Sequence, residues 1–333
     1  MIEIEELYPF LFDPIYVRVM WGGDLLKSHF GRSIPEGDIP VGESWEISDR
    51  EGAESIVSNG QLKGKTLHEL INYYGKALVG EKFPINRRFP LLVKLIDAGK
   101  RLSLQVHPDE DACKRLPGAE PKTEMWYILS AKPNAKIFAG LRSNCTQRQF
   151  LSSMDSSDIE NCLQSFSARP GDAYFINAGR VHAIGGGILL IEIQQNSNTT
   201  YRISDWGRVG PDGKPRELHK KEALDCINFT DRVSPRIPCV YGSSDYNRKF
   251  PIINRCPFFK VDELRIIDPW IDYTDKNSFH LISAINCDLV VGYAGKTVEL
   301  EPGRTCLIPS CFGKYQISSN TQGKEAIVLK TTL

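Results

Sequence analysis

The sequence has no excess of charge of either sign, with 41 Lys and Arg against 41 Asp and Glu in 333 residues. That balance excludes a protein that grips nucleic acid or an anionic membrane through bulk charge, and it leaves room for a local cationic pocket. No apolar run reaches the ~18 residues that a bilayer-spanning helix requires. The N-terminal stretch carries Glu3, Glu5 and Glu6 and lacks the basic segment followed by an apolar one that marks an export signal. The nine cysteines are odd in number and include no Cys-x-x-Cys pair. This excludes a cysteine-rich zinc cluster and suits reduced structural thiols in a cytoplasmic chain. Low-complexity stretches and charge blocks are also missing. What remains is a compact small-molecule protein, without nucleic-acid or membrane partners. At ~150 residues per domain the chain is long enough for two domains, with no need of staples.

What is present is a series of short β-rich runs bounded by Gly, Pro, Asn or Asp. Residues 89–97, 125–129, 173–176, 188–193, 279–285, 289–293 and 326–330 read as strands of a sandwich or barrel. Helical signals are fewer. Thr66 and Glu69 form a capping box that opens an apolar helical pattern to Val79. Thr146 and Gln149 open a second over 145–166, read as two short helices, and 217–229 reads as a third. The stretch 230–250 lacks periodicity and reads as a connecting loop. The fold class is therefore mainly β, with two jelly-roll units. A first domain over 1–240 carries helical insertions near 66–79, 109–116 and 145–166, and an all-β domain follows over 251–333.

The densest chemistry lies between Phe89 and Arg208. A strand over 102–107 puts Gln105 and His107 on one face, because side chains alternate with a period of two. Glu124 opens another strand, and His182 follows a turn closed by Gly179. Two imidazoles, a carboxylate and an amide oxygen form a mixed N/O ligand set suited to zinc or another divalent first-row metal. With so few strong donors, positions stay open for water or substrate, the mark of a catalytic site. A single strand histidine is ordinarily a hydrogen-bonded structural residue. Two of them, each at a ligand position of a spaced motif and joined by Glu124, argue for a metal centre.

The spacing resembles the cupin pattern. Gly99 precedes Gln105-x-His107 by five intervening residues, and Gly171, Asn177, Gly179 and His182 follow the second motif with Asn in place of Pro. The motif glutamate normally comes within a few residues, whereas Glu124 arrives seventeen after His107, so a helix starting near Pro108 and Asp109 must be inserted. A faint repeat places Pro309 after Gly303 as Asn177 stands after Gly171, with Lys314 at the position of His182 and no Gln-x-His before it. The second jelly roll is thus expected to be ligand-less, with His280 structural.

At a finer level the chain resembles type I phosphomannose isomerases. The resemblance rests on Trp21-Gly22-Gly23, Gly42-Glu43-Ser44-Trp45-Glu46, Pro90–Lys94, Leu102–Asp109, Lys122-Thr123-Glu124-Met125 and Ser197–Arg202, and it runs from about residue 8 to the C-terminus in the family's shorter bacterial form. It implies a zinc-dependent interconversion of mannose 6-phosphate and fructose 6-phosphate through an enediol, one ion per chain. Gln105, His107, Glu124 and His182 would be the zinc ligands. Arg202 would meet the phosphate or enediolate, and Lys94 and Ser103 would contact substrate.

Strand alternation adds Lys122 as an acid/base or substrate clamp on the face of Glu124. Glu192, an isolated carboxylate in an apolar run, faces the pocket or pairs structurally, and desolvation would make it a usable acid/base. Lys94, Lys122 and Arg202 are expected to converge on one phosphorylated sugar. Glu43 and Glu46 are expected at a rim or edge, and the assembly is expected to be a monomer or weak homodimer. Two other functions share the fold: a non-haem iron oxygenase, against which the glutamine and the Lys/Arg set speak, and a non-catalytic sugar-phosphate sensor, against which the intact ligand set and Arg202 speak.

Overall fold

The computed structural model describes residues 7–84, 87–210, 213–239, 242, 244–321 and 324–333. Glu3, Glu5 and Glu6, and residues 240, 241 and 243 of the connecting loop, lie outside the described residues. Two compact units divide the chain: Met1–Ile15, Trp45–Val93 and Tyr241–Leu333 form one, Tyr16–Ser44 and Lys94–Val240 the other.

The strands through residue 237 are β1 (Ile15–Arg18), β2 (Val41–Ile47), β3 (Asp49–Arg50), β4 (Ala53–Glu54), β5 (Leu91–Ala98), β6 (Leu104–Val106), β7 (Glu124–Ala131), β8 (Lys136–Leu141), β9 (Leu163–Ser167), β10 (Ala173–Ile176), β11 (His182–Ile184), β12 (Ile188–Gln195), β13 (Tyr201–Ser204) and β14 (Arg236–Ile237). One sheet runs β1-β2-β5-β12-β7-β10-β14 and a second β13-β6-β11-β8-β9. In the unit formed by 16–44 and 94–240, Trp126, Ile128, Tyr174, Ile176 and Leu190 of the first sheet pack against Ile137, Ala139 and Ile184 of the second. This is a two-sheet sandwich of the jelly-roll kind, closed by the burial of both inner faces.

The outer face of the five-stranded sheet is covered as well. Phe150, Ile159, Ala223 and Cys226, from α5 (Gln147–Ser153), the 3₁₀ turn Ser157–Cys162 and α6 (Lys220–Cys226), pack with Met154 on Val106, Phe138, Val181 and Ala183. Hence β11 is buried at every position. The expected insertion after His107 is α4 (Glu110–Arg115), capped by Asp109, whose carboxylate accepts from the Ala112 N–H.

Two expected helices are shorter than the pattern implied. Residues 163–167 form strand β9, because pairing with β8 overrides the helical spacing of Leu163 and Phe166. Helix α6 spans Lys220–Cys226 rather than 217–229, ending where Ile227 turns extended.

In the other unit α2 (Leu67–Tyr74) starts on the expected capping box, with Glu69 N–H donating to Thr66 Oγ1 and Thr66 N–H to Glu69 Oε2. It continues through α3 (Lys76–Val79), and the Ser310 N–H donates to the Leu78 carbonyl. The strands there are β15 (Arg248–Ile253), β16 (Lys260–Ile266), β17 (Trp270–Tyr273), β18 (His280–Ala284), β19 (Leu289–Tyr293), β20 (Lys296–Leu300), β21 (Thr305–Ile308), β22 (Lys314–Ser319) and β23 (Ala326–Thr332). They form the sheets β15-β16-β23-β18-β21 and β17-β22-β19-β20 around Leu264, Ile282, Leu289, Tyr315 and Val328.

The repeat read from the two glycines is real in three dimensions. Glu124 sits opposite Ile176, and His280 sits opposite Ile308 in the matching strand pair. Lys314 opens β22 as His182 opens β11, but it is exposed, and the inward neighbour is Tyr315, whose hydroxyl lies 2.7 Å from His280 Nδ1. A tyrosine and a histidine bonded to each other stand at the matching places of the second sandwich.

Candidate metal centre and substrate pocket

Three strand ends bring the ligand-type side chains together. Glu124 opens β7 in the sheet interior, opposite Ile176 on one side and Gln194 on the other. His182 opens β11 opposite Gln105 of β6. His107 lies one residue beyond β6, and its carbonyl accepts from the N–H of Gly179, the turn residue just before His182. Gly179 has φ +81°, and a Cβ there would lie 2.9 Å from the Cys226 carbonyl oxygen, so only glycine makes this turn unstrained.

His107, Glu124 and His182 are fully buried, and one ligand atom from each lies within 4.8 Å of the others. His107 Nδ1 is 3.0 Å from the Thr199 carbonyl oxygen and His182 Nδ1 is 2.8 Å from that of Arg180. Each Nδ1 therefore carries its proton and donates it, which turns the lone pair of each Nε2 toward Glu124. Those lone pairs stand 3.3 and 3.4 Å from the carboxylate oxygens; the Lys122 ammonium lies 2.9 Å from Oε2, while neither nitrogen nor Oε1 has a hydrogen-bond donor. Lys122 serves Oε2 alone, so the two imidazole lone pairs and Oε1, buried and facing one another, repel unless a further cation sits among them. Burial, reinforced by Lys122, pushes His107 down to about 3, and burial also lowers His182, so both imidazoles are neutral ligands. Burial works to raise Glu124, but the Lys122 ammonium outweighs it and holds the carboxyl well below its ordinary range. The donor set fits a divalent metal ion.

Beside this cluster is a pocket of about 320 Å³ whose walls include Lys94, Ser103, Gln105, Lys122, Glu192 and Arg202. All the substrate-side residues expected from the sequence are thus in one cavity. Lys122 precedes β7 rather than lying in it, yet its Nζ is 2.9 Å from Glu124 Oε2. Lys94 Nζ is 3.1 Å from Glu43 and 3.7 Å from Glu192. The indole of Trp126 donates to Glu192 Oε1 at 3.0 Å. Burial, followed by the charge of Glu124, pushes Glu192 up to about 7. Gln105 lies opposite both His182 and Arg202, and its Oε1 is 3.5 Å from Ser103 Oγ.

Two features depart from expectation. Glu43 and Glu46 are not at a rim: β2 is an interior strand between β1 and β5, Glu46 is 2% exposed, and Glu43 is in the pocket wall against Lys94. Arg216, which nothing in the sequence singled out, also lines the pocket, as do Asn198 and Thr200 from the segment carrying Arg202. Arg202 meets its neighbours mainly through backbone, with Nη1 donating to the Glu217 carbonyl at 2.7 Å.

Comparison with known proteins decides the family. The type I phosphomannose isomerase catalytic-domain model matches residues 10–134, and the mannose-6-phosphate isomerase cupin-domain model matches 248–327. The mannose-6-phosphate isomerase ManA of Bacillus subtilis is 40% identical over 93% of this chain and 95% of its own length. This chain belongs to the type I phosphomannose isomerases.

A probable mannose-6-phosphate isomerase, GmuF, from the same organism is 36% identical over 95% of this chain and 98% of its own. The crystal structure of the mannose 6-phosphate isomerase from B. subtilis superposes with a TM-score of 0.85 at 31% identity, covering 98% of this chain and 100% of that one. A phosphomannose isomerase of this family is an aldose–ketose isomerase of cupin fold, and neither an oxygenase nor a bare sensor is favoured. No helix among the described residues is long and apolar enough to cross a membrane.

Proposed function

We propose that the chain interconverts mannose 6-phosphate and fructose 6-phosphate, with zinc held by Gln105, His107, Glu124 and His182. The observation that carries this reading is the pair of carbonyl-locked imidazoles turned on Glu124 beside a cation-rich pocket. Two neutral imidazoles and oxygen donors with open positions are a zinc set of the catalytic type. When bound, the ion supplies positive charge next to the sugar oxygens on which negative charge develops.

The chain's own groups do the rest. Aldose-to-ketose conversion takes a proton from C2 and returns one to C1 through the enediol, while a hydroxyl proton moves from O2 to O1. Glu192 is the proton carrier, because it is the carboxyl that lines the pocket beside the metal ligands, and burial pushes it up from the ordinary carboxylate range. The Trp126 indole fixes its orientation. Lys122 holds a positive charge between Glu124 and the pocket, and Arg202 faces the anionic substrate. Lys94 and Ser103 line the same wall and orient the sugar.

Catalysis belongs to the sandwich within residues 1–240, and 251–333 has a structural role. The assembly is a monomer or a weak homodimer, which size-exclusion chromatography with light scattering tests. Nine free cysteines suit a reducing cytoplasm.

Isomerisation in D2O, followed by proton NMR, tests the route. Deuterium entering the transferred position supports the enediol, whereas full retention together with undiminished turnover in Glu192→Gln contradicts a route carried by this carboxyl.

A further inference from the structure

The charges lining the pocket are unevenly matched. At one end Lys94 and Lys122 are set against three carboxylates, Glu43, Glu192 and Glu124, at 2.9–3.7 Å. At the other, two guanidiniums share one buried carboxylate and a third lies beside them. Asp205 is 5% exposed and accepts from Arg216 through Nε at 2.9 Å and through Nη2, and also from Nη2 of Arg208. Arg202 lies next to this pair and anchors to the backbone of Glu217, the residue following Arg216. Its own Nε is buried without a hydrogen-bond partner. The Glu217 carboxylate is turned to solvent, 84% exposed and 3.8 Å from His219. Among the described residues, the arginine end therefore carries more positive charge than its carboxylates neutralise. Arg202 and Arg216 both face the cavity.

We propose that Arg216 is the phosphate-recognition residue of this pocket, and that Asp205 is its positioning residue. This rests on the isomerase reading above for the identity of the substrate, but not for the chemistry recognised, which is a phosphate monoester dianion. A guanidinium held by Nε and Nη2 on Asp205 keeps Nη1 for a second partner. Its neighbour Arg202 supplies a further unpartnered N–H. Two adjacent like charges sharing half a counter-ion are matched by a dianion, and charge-assisted bonds of this kind are the strong ones. The lysine end, whose charges are already matched, is left to the sugar carbons and the metal. Phosphate specificity thus comes from Arg202 and Arg216 rather than from the lysines, and Asp205 acts only through the guanidiniums it holds.

The test compares wild type, Arg216→Ala, Arg216→Lys and Asp205→Asn as metal-replete full chains. It measures kcat and KM for mannose 6-phosphate, and inorganic phosphate binding by calorimetry. In R216A the KM and the phosphate dissociation constant should rise together by about tenfold or more, as expected for loss of a charge-assisted contact, with kcat and metal content little changed. R216K should recover part of the loss, because a point charge replaces the fork. D205N should weaken phosphate binding without touching metal content. Unchanged KM and unchanged phosphate binding in folded R216A or R216K would overturn the assignment. If wild type fails to turn over mannose 6-phosphate, the isomerase reading falls, while the calorimetric comparison still decides whether Arg216 binds phosphate.

Discussion

Replacing Lys122 by Met tests the electrostatic design of the metal site. Lys122 is 5% exposed and Glu124 fully buried, with Nζ 2.9 Å from Oε2. Removing one partner of a buried ion pair leaves an uncompensated charge and costs about 3–5 kcal/mol. For a unit of this size each kcal/mol moves the melting temperature by about 2–4 °C, so the metal-free variant should melt roughly 6–20 °C below wild type. A divalent ion reverses the deficit. It supplies the charge that Glu124 has lost, and in the variant it no longer meets a lysine ammonium on the same oxygen. At a thousandfold excess over its dissociation constant a ligand stabilises by about 4 kcal/mol. Thermal melts followed by circular dichroism, with chelator and with added zinc, read both effects. Lys122→Met should lie well below wild type in chelator and gain more from zinc than wild type does. A variant melting within about 2 °C of wild type in chelator, or gaining less from zinc, would refute the reasoning.

Three further outcomes are expected. Glu124→Gln should keep the fold but lose its metal on dialysis, read by elemental analysis, because the carboxylate is the only anionic ligand of the set. Trp126→Phe should destabilise by about 1.5–3 kcal/mol through loss of a hydrogen bond to a charged group, read by urea titration, and should lower kcat by freeing Glu192. Burial, followed by the charge of Lys330, holds His280 down to about 4, below its ordinary 6.5. The folded state therefore disfavours protonation. Its contribution is complete above pH 6.5 and is lost as pH falls through 4, so His280→Gln should flatten the decline in urea midpoint across that window. An unchanged slope would contradict the cause.

The metal centre was legible because its geometry is local. Gln105 and His107 share a strand face, Gly179 announces the turn before His182, and Asp109 caps the helix that spaces His107 from Glu124. Lys122 was legible from its spacing of two from Glu124, whereas Lys94 and Arg202 were legible only through family resemblance, since nothing in their immediate sequence says which way a strand's buried face points. Glu43 escaped because an interior strand is known by its neighbours in the sheet, and those come from residues 15–18 and 91–98. Arg216 escaped for the same kind of reason. Its significance depends on a fold-back that sets it against Asp205 and beside Arg202, and no periodicity records that. Strand β9 carries apolar residues at helical spacing and became a strand through pairing with β8 alone. Local chemistry survives in sequence, whereas long-range partnership does not.

The central claim is that the buried His107, Glu124 and His182 hold a divalent ion on which isomerisation depends. The most direct measurement is a coupled assay on mannose 6-phosphate with elemental analysis of the same sample, before chelation, after it and after metal is restored, alongside His107→Ala. The account predicts about one ion per chain, activity lost with the ion and regained with it, and a folded but inactive variant. Full turnover in metal-free protein, or in His107→Ala, would contradict it.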